Sequence, residues 1–222
     1  DTDKKLYKAS PANYIKELPP GDYQYLLSLD IGWNDDNAFT VGAFKEFDNT
    51  LYIVHCYKQP KMIVDTINNK IKELEKLYPF TRIVIDSANK QFVQELTYRT
   101  GRHFTPAAKT DKLNYIHLMN SDFICLKIKI VEPLCKDLIK EYDSLTILDD
   151  KTNNYQTAIG NQIDHGSDSS LYLWRESYNY NNKPEEPKVN PYSEQAVDKF
   201  WSREENRLQN KQEQNFYEKD WD

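Results

Sequence analysis

Runs of apolar residues separated by polar loops divide the first part of the chain into strands. A mostly apolar run over 25–32 is typical of a buried strand. Two further runs, 39–44 and 50–57, lie on either side of the turn residues Asp48 and Asn49. Because the three runs follow one another with only short connections, we expect them to form an antiparallel meander.

The pattern then changes to the period of a helix. Apolar residues recur every three or four positions from Ile63 to Leu77, which predicts an amphipathic helix that ends before Pro79. Further along, we expect strands over 81–86, 104–108 and 127–131, and helices over 89–98, 112–123, 134–142 and 164–178. The polar segment 146–159 is interpreted as an extra hairpin.

Proline, glycine and polar residues mark the limits of this regular pattern. Pro19, Pro20 and Gly21 break any regular element, so residues 1–21 are interpreted as a lead-in or linker. After Tyr178 the chain becomes polar and charged, with a linker at 181–187. We therefore expect one domain over 22–180, followed by a polar C-terminal tail over 181–222.

The order of the predicted elements is that of one α/β fold. Three strands, a helix, a strand, a helix and a fifth strand follow the ribonuclease H-like order, which has a mixed sheet of five or more strands flanked by helices. In that fold the first strand pairs with the fourth, so Asp30 and Asp86 become neighbours at the ends of those strands. The last helix places Asp164 and Asp168 over the same edge.

Carboxylates that converge in this way favour a metal site. An aspartate that follows an apolar strand is costly to bury unless it is paired, hydrogen-bonded or bound to a metal. Mg²⁺ and Mn²⁺ prefer carboxylate oxygens, and two such ions about 4 Å apart support phosphodiester cleavage. The sequence therefore predicts a site for Mg²⁺ or Mn²⁺, with two ions expected.

Three short motifs resemble those of one family, the C-terminal nuclease domain of the large terminase subunit of tailed bacteriophages. The motifs are residues 27–32 around Asp30, residues 82–88 around Asp86, and residues 164–172 at the start of the last helix. The segments 107–109 and 127–131 also match the family's layout, so the resemblance covers about residues 22–180. It implies that Asp30, Asp86 and Asp168 bind two divalent metals and cut double-stranded DNA.

The same resemblance gives roles to the neighbours of these acids. His165 matches a family histidine beside the metals, and Asp164 matches a neighbouring acid that is a further candidate ligand. Ser169 and Ser170 depart from the alanine and the apolar residue that the family often has there. DNA phosphates are the expected partners of four lysines, Lys109, Lys112, Lys127 and Lys129.

Partners and location also follow from the resemblance. It implies double-stranded DNA, an ATPase motor domain of the same full-length protein, the portal and the small terminase subunit as partners, in the host cytoplasm during virus assembly. The sequence has no G-x-x-x-x-G-K-[ST] motif, so the motor is expected outside this chain. Since the first residue is Asp1 rather than methionine, we interpret the chain as a fragment of a longer protein.

Composition narrows the function classes. The chain has 222 residues and a net charge of −6, which gives no overall basic footprint for nucleic acid. Three of the six excess negative charges lie in 181–222, so the predicted domain is closer to neutral. No apolar run approaches the roughly 18 residues of a membrane span, and no membrane partner is expected. Cys56, Cys125 and Cys135 are odd in number without CxxC spacing, which indicates free thiols.

Three alternatives stay open at this stage. A junction resolvase or transposase-type nuclease has the same fold and also uses an acidic cluster. An actin-like kinase has an Asp-x-Gly on its first strand, but the segment 33–36 lacks the glycines that cradle phosphate. A non-catalytic assembly module would use the tail as its docking arm, with Phe200 and Trp201 as anchors.

Overall fold

Seven strands form one mixed sheet in the computed structural model, which describes residues 4–32, 36–45, 48–86, 90–148 and 154–181. The strands in chain order are β1 (Tyr14–Ile15), β2 (Gln24–Asp30), β3 (Asp36–Phe44), β4 (Leu51–Pro60), β5 (Phe80–Asp86), β6 (Thr105–Pro106) and β7 (Ile128–Val131). Across the sheet they lie in the order β1-β7-β4-β3-β2-β5-β6. The strands β2, β3 and β4 form the expected antiparallel meander.

Helices connect and cover these strands. They are α1 (Val64–Leu77), α2 (Lys90–Thr100), α3 (Lys112–Ile124), α4 (Lys136–Ser144), α5 (Tyr155–Ile159) and α6 (His165–Asn181). Two short 3₁₀ helices lie at Pro11–Asn13 and Glu132–Leu134. A mixed sheet flanked by helices confirms the predicted ribonuclease H-like α/β class. None of the helices among the described residues is long and apolar enough to cross a membrane.

The pairing of β2 decides where the predicted acids lie. Strand β2 is antiparallel to β3 and parallel to β5, and Asp30 is directly opposite Asp86 in this register. The predicted pairing of the first and fourth strands of the domain is therefore confirmed, and both carboxylates lie at the same end of the sheet.

Different helices pack on the two faces of the sheet. Helix α1 packs Ile67, Ile71 and Leu74 on one face, which we call the α1 face, against the alternate residues Leu27 and Leu29 of β2. Helices α3, α4 and α6 cover the opposite face, which we call the α6 face. Both faces are buried, and β2, β3, β4 and β7 contribute apolar side chains to both layers.

A glycine lets α6 approach the sheet closely. A Cβ atom at Gly42 of β3 would lie only 2.8 Å from Cδ2 of Leu173 in α6. Leu171 and Leu173 are fully buried at this contact layer. The close approach brings the first turn of α6 over the end of β2, where Asp30 lies.

The hairpin predicted over 146–159 is wrong where the structure describes this segment. Residues 155–159 form α5, because Tyr155, Ala158 and Ile159 place their side chains in the core at helical spacing. The Leu148 N–H donates to the Ala158 carbonyl at 2.7 Å, which ties α5 back to the preceding segment. Residues 149–153, within the predicted hairpin, lie outside the described residues.

The segment interpreted as a lead-in packs onto the domain over part of its length. Leu6 and Tyr7 are 2% and 0% exposed and belong to the core of the α6 face. Strand β1 extends the sheet by pairing in parallel with β7. These contacts are long-range, since they join the N-terminal residues to elements more than 100 residues later. The predicted tail, from residue 182 onward, lies outside the described residues, and the boundaries 22–180 stay a prediction.

Candidate active site

The ends of β2 and β5 bring two carboxylates into a buried position. Asp30 and Asp86 are each 9% exposed, although both are the last residues of their strands. Burial raises the pKa of Asp30, and the negative charges of Asp86 and Asp164 add to this shift. The hydrogen bond with His165 works in the opposite direction. Such a position concentrates negative charge in surroundings that disfavour it.

The first turn of α6 adds a histidine and a third aspartate. His165 Nδ1 lies 3.1 Å from Asp30 Oδ2. Asp168, one turn later, is also 9% exposed, and burial together with Asp164 and Asp30 raises its pKa to about 7 against the opposing charge of Lys112. The Oδ1 atom of Asp168 is buried and has no hydrogen-bond partner among the described residues.

Two lysines pair with this acidic cluster, which we define as Asp30, Asp86, Asp164 and Asp168. The Lys109 ammonium contacts Asp86 Oδ1. Lys112 Nζ lies 2.5 Å from Asp168 Oδ2 and 3.6 Å from Asp164 Oδ2. Both lysines were predicted to contact DNA, and the structure places them at the carboxylates.

Two tyrosines donate hydrogen bonds to the cluster. The Tyr172 hydroxyl donates to Asp86 Oδ2 at 3.1 Å, and the Tyr155 hydroxyl donates to Asp164 Oδ2 at 2.9 Å. Burial and the nearby carboxylates raise the pKa of both phenols, so both are donors at neutral pH. The ring of Tyr155 also lies 3.4 Å from Lys112 Nζ, measured to its centroid.

Sequence reasoning gave no role to either tyrosine. Tyr172 stands inside the third motif, so a signal for it was available. Tyr155 had no such signal, because the hairpin interpretation placed it on a strand rather than on α5.

An arginine contacts the segment between the two lysines. Arg175 Nη1 donates to the carbonyl of Thr110 at 3.0 Å, and its guanidinium lies 3.6 Å from the ring centroid of Tyr115. Thr110 lies between Lys109, which is in the loop, and Lys112, which is the first residue of α3. The C-terminal half of α6 therefore contacts the segment that carries the lysines, while its first turn carries His165 and Asp168.

The other two predicted DNA contacts do not join the cluster. Lys127 Nζ lies 3.7 Å from Asp122 Oδ1, and Lys129 Nζ donates to the carbonyl of Ala12 at 3.0 Å. Strand β7, which carries Lys129, is separated from β2 by β4 and β3. Contact of these two lysines with DNA stays a prediction.

The described residues contain no group of three or more His, Cys, Asp or Glu side chains arranged to hold a metal ion. Two carboxylate oxygens of the acidic cluster, Asp86 Oδ1 and Asp168 Oδ2, contact lysine ammoniums. Two lysines of the chain therefore offset part of the negative charge of the four aspartates.

Several solved structures are similar to this one, whereas the sequence itself has no match. The sequence matches no protein-family model and no curated protein. The structure is similar to the large terminase of a thermophilic bacteriophage, with a TM-score of 0.63, 17% identity and coverage of 77% of this chain and 44% of that chain. This chain therefore spans less than half of the length of that protein.

Two isolated nuclease domains are also similar. The large terminase nuclease domain of bacteriophage SPP1 with bound Mn has a TM-score of 0.56 and 16% identity, over 69% of this chain and 86% of that chain. The large terminase nuclease from the thermophilic phage G20c with bound cobalt has a TM-score of 0.59 and 15% identity, over 78% and 97%. This chain therefore has the fold of the nuclease domains of phage large terminases.

Proposed function

We propose that this chain is a divalent-metal-dependent endonuclease domain that cuts double-stranded DNA during packaging of a phage genome. The observation that carries the proposal is the convergence of Asp30, Asp86 and Asp168, each buried, at one end of the sheet. Three buried carboxylates have no structural advantage there, since each is costly to desolvate. Their presence fits a site that binds cations.

The donor set fits Mg²⁺ or Mn²⁺, and the two nuclease domains with bound Mn and cobalt support this class of ion. Asp30, Asp86 and Asp168 would hold the ions, expected to be two, with Asp164 as a further candidate ligand. The buried Oδ1 of Asp168, which has no partner among the described residues, is one oxygen available to a cation. Bound ions would supply activation of a water and stabilisation of the leaving oxygen.

The chain's own residues then have separate tasks. His165 holds Asp30 by its Nδ1 contact and can exchange a proton with water at the edge of the cluster. The Lys109 side chain is 48% exposed, so it can turn from Asp86 to a DNA phosphate once cations occupy the cluster. Lys112 is more buried, and it orients Asp168 and Asp164.

The resemblance of the three motifs to terminase nuclease domains supports the proposed partners. We expect the full-length protein to carry an ATPase motor domain that grips DNA, and the portal and small terminase subunit to assemble with it in the host cytoplasm. A domain that is tethered to such a motor needs little electrostatic affinity of its own, which agrees with the net charge of −6.

The test is cleavage of plasmid DNA in Mn²⁺ by the wild type and by Asp30→Asn. We expect the substitution to lower the rate by about 10³-fold, since it removes a carboxylate that would hold the divalent ions. Asp65→Asn on α1, an exposed aspartate on the opposite face of the sheet, is the matched control and should cleave normally. Full activity of Asp30→Asn, with an unchanged circular dichroism spectrum, would exclude the proposed site.

The choice of DNA separates the closest alternative. A terminase-type nuclease should cut linear duplex at least as fast as a four-way junction of the same sequence. Strong preference for the junction would favour a resolvase-type enzyme of the same fold. Absence of any cleavage of either DNA, with Mn²⁺ and Mg²⁺, would favour an assembly module.

A further inference from the structure

A largely buried lysine, with 15% of its side chain exposed, lies in the same row of the sheet as the acidic cluster. Asp86 is opposite Asp30, Asp30 is opposite Ala38, and Ala38 is opposite Lys58 of β4. Directly opposed residues place their side chains on the same face of a sheet. Lys58 therefore belongs to the α6 face, two strands from Asp30, although it contacts none of the acids in the cluster.

The partner of Lys58 is a buried glutamate on α4. Glu141 is 4% exposed, and its Oε1 atom accepts a hydrogen bond from Lys58 Nζ at 2.5 Å. Asp36 Oδ2 also faces the ammonium, at 4.0 Å. Buried charges require such pairing, because an unpaired charge in this position would be strongly unfavourable.

The second oxygen of Glu141 contacts the first turn of α6. Glu141 Oε2 accepts the backbone N–H of Ser167, the third residue of the helix, at 2.7 Å. The N–H groups of a first helical turn have no partner within the helix, and the positive end of the helix favours a carboxylate there. Glu141 thus supplies from α4 the capping contact at this helix.

The contact is close enough to define where the turn lies. A Cβ atom at Gly166 would be only 3.0 Å from Glu141 Oε2, so the glycine allows the carboxylate to reach the backbone. Gly166 and Ser167 lie between His165 and Asp168 in the chain. Any shift of this turn moves both side chains relative to Asp30.

We propose that Glu141, held by Lys58, is a positioning residue that fixes the first turn of α6 and thereby the placement of His165 and Asp168. Its effect on DNA cleavage rests on the proposed nuclease function. Its effect on the turn itself does not, so the two can be measured separately. The competing explanation is an ordinary buried ion pair that only stabilises the fold.

Amide hydrogen exchange measures the turn without metal or DNA. In Glu141→Ala we expect the Ser167 amide to exchange about 10-fold to 100-fold faster, because it loses a hydrogen bond to a charged acceptor. The NMR signals of the His165 ring should shift in the same variant. Asp137→Asn, which breaks an exposed pair with Lys140 on the same helix, should change neither.

Kinetics measure the consequence for cleavage. We expect Glu141→Ala to lower kcat by about 10-fold to 100-fold, the usual effect of losing a group that orients catalytic ligands, with KM for DNA unchanged. Glu141→Gln keeps an acceptor oxygen for Ser167, so it should lose less activity, and it serves if Glu141→Ala does not fold. Unchanged exchange at Ser167, or unchanged kcat with faster exchange, would overturn the proposal.

A charge swap distinguishes positioning from simple pairing. The double variant Lys58→Glu with Glu141→Lys restores two opposite charges, but it places an ammonium against the Ser167 N–H. We expect its Tm to recover relative to the single variants while kcat stays low, and recovery of kcat would overturn the proposal. If the wild type itself neither binds Mn²⁺ nor cleaves DNA, the nuclease function fails, and the exchange and His165 signals still decide the positioning.

Discussion

The two faces of strand β2 differ in what their side chains do. Leu27 and Leu29 point to the α1 face and are fully buried among apolar side chains. Ser28 and Asp30 alternate with them and point to the α6 face, where both are buried as well. A strand buried on both sides usually carries apolar residues on both, so the polar pair marks the end of the α6 face where the acidic cluster lies.

Helix α6 matches this polar face with small polar residues. Ser169 donates to the Ser28 carbonyl at 3.0 Å, and the Ser170 hydroxyl lies 2.6 Å from the hydroxyl of Tyr142. These serines replace the alanine and apolar residue of the resembling family, and their hydroxyl groups have partners. Both faces thus bury apolar side chains, and the α6 face in addition holds the desolvated charges of the acidic cluster.

Substitutions at two neighbouring residues of β5, one on each face of the sheet, should show the largest difference in their effects on stability and on cleavage. Ile85→Ala on the α1 face should lower the free energy of unfolding by about 2–5 kcal/mol, because it leaves a cavity in a fully buried layer. Asp86→Asn, one residue later, should cost at most about 1 kcal/mol in stability, since its partner Lys109 is half exposed. Cleavage should show the reverse order, with loss in Asp86→Asn only.

Urea unfolding gives the free energy of unfolding of the two variants, and plasmid cleavage gives their activity. Loss of stability in Asp86→Asn as large as that in Ile85→Ala would contradict the division between the faces.

Removal of Lys112, the less exposed of the two lysines at the cluster, should destabilise the metal-free protein. Lys112→Met leaves the Asp168 carboxylate without its partner, at an expected cost of about 3 kcal/mol. Saturating Mn²⁺ should restore much of this stability, because a bound cation replaces the missing charge. Thermal unfolding with and without Mn²⁺ tests this, with Lys140→Met, an exposed lysine on α4, as the control. An equal loss of stability with and without Mn²⁺ would exclude a cation site that overlaps the position of the Lys112 ammonium.

Stability should depend on pH because of a buried carboxylate, Asp168, on the α6 face. The pKa of Asp168 is raised to about 7 by burial, so the folded state binds its proton more tightly than the unfolded state does. The metal-free protein should therefore lose stability as pH rises from about 4 to 7, with a slope of up to about 1.4 kcal/mol per pH unit. Asp168→Asn should flatten this slope. A stability that rises over the same range, and is unaffected by Asp168→Asn, would contradict the burial of this charge.

The smallest effect is expected at a single hydrogen bond. Tyr172→Phe removes the hydroxyl that donates to Asp86 Oδ2 and leaves the ring in place. We expect a loss of about 1 kcal/mol in stability and a few-fold decrease in cleavage rate. Tyr98→Phe, an exposed tyrosine on α2, should change neither quantity. A decrease as large as that of Asp86→Asn would mean that Tyr172 acts directly on the substrate.

Local patterns predicted the fold and the convergence of the acids at one end of the sheet. The order of strands placed Asp30 beside Asp86, because the register of parallel strands follows from the topology. The resemblance of the motif at 164–172 implied that His165 lies beside the acids, and its Nδ1 atom is 3.1 Å from Asp30 Oδ2.

Contacts between distant segments were not predictable in this way. Lys58 and Glu141 are 83 residues apart, and neither lies in a motif, so nothing local indicates that they meet. Leu6 and Tyr7 precede Pro19 and Pro20, and two apolar residues in a polar segment do not show that they enter the core. Helix α5 was missed because polar residues before it are typical of a turn.

Diffraction from crystals soaked in Mn²⁺ measures the proposed site most directly. Anomalous peaks should lie between the carboxylates of Asp30, Asp86 and Asp168, with the ammoniums of Lys109 and Lys112 displaced from their present contacts. An empty cluster at saturating Mn²⁺, with both lysines still paired to Asp86 and Asp168, would contradict a metal-dependent nuclease at this end of the sheet.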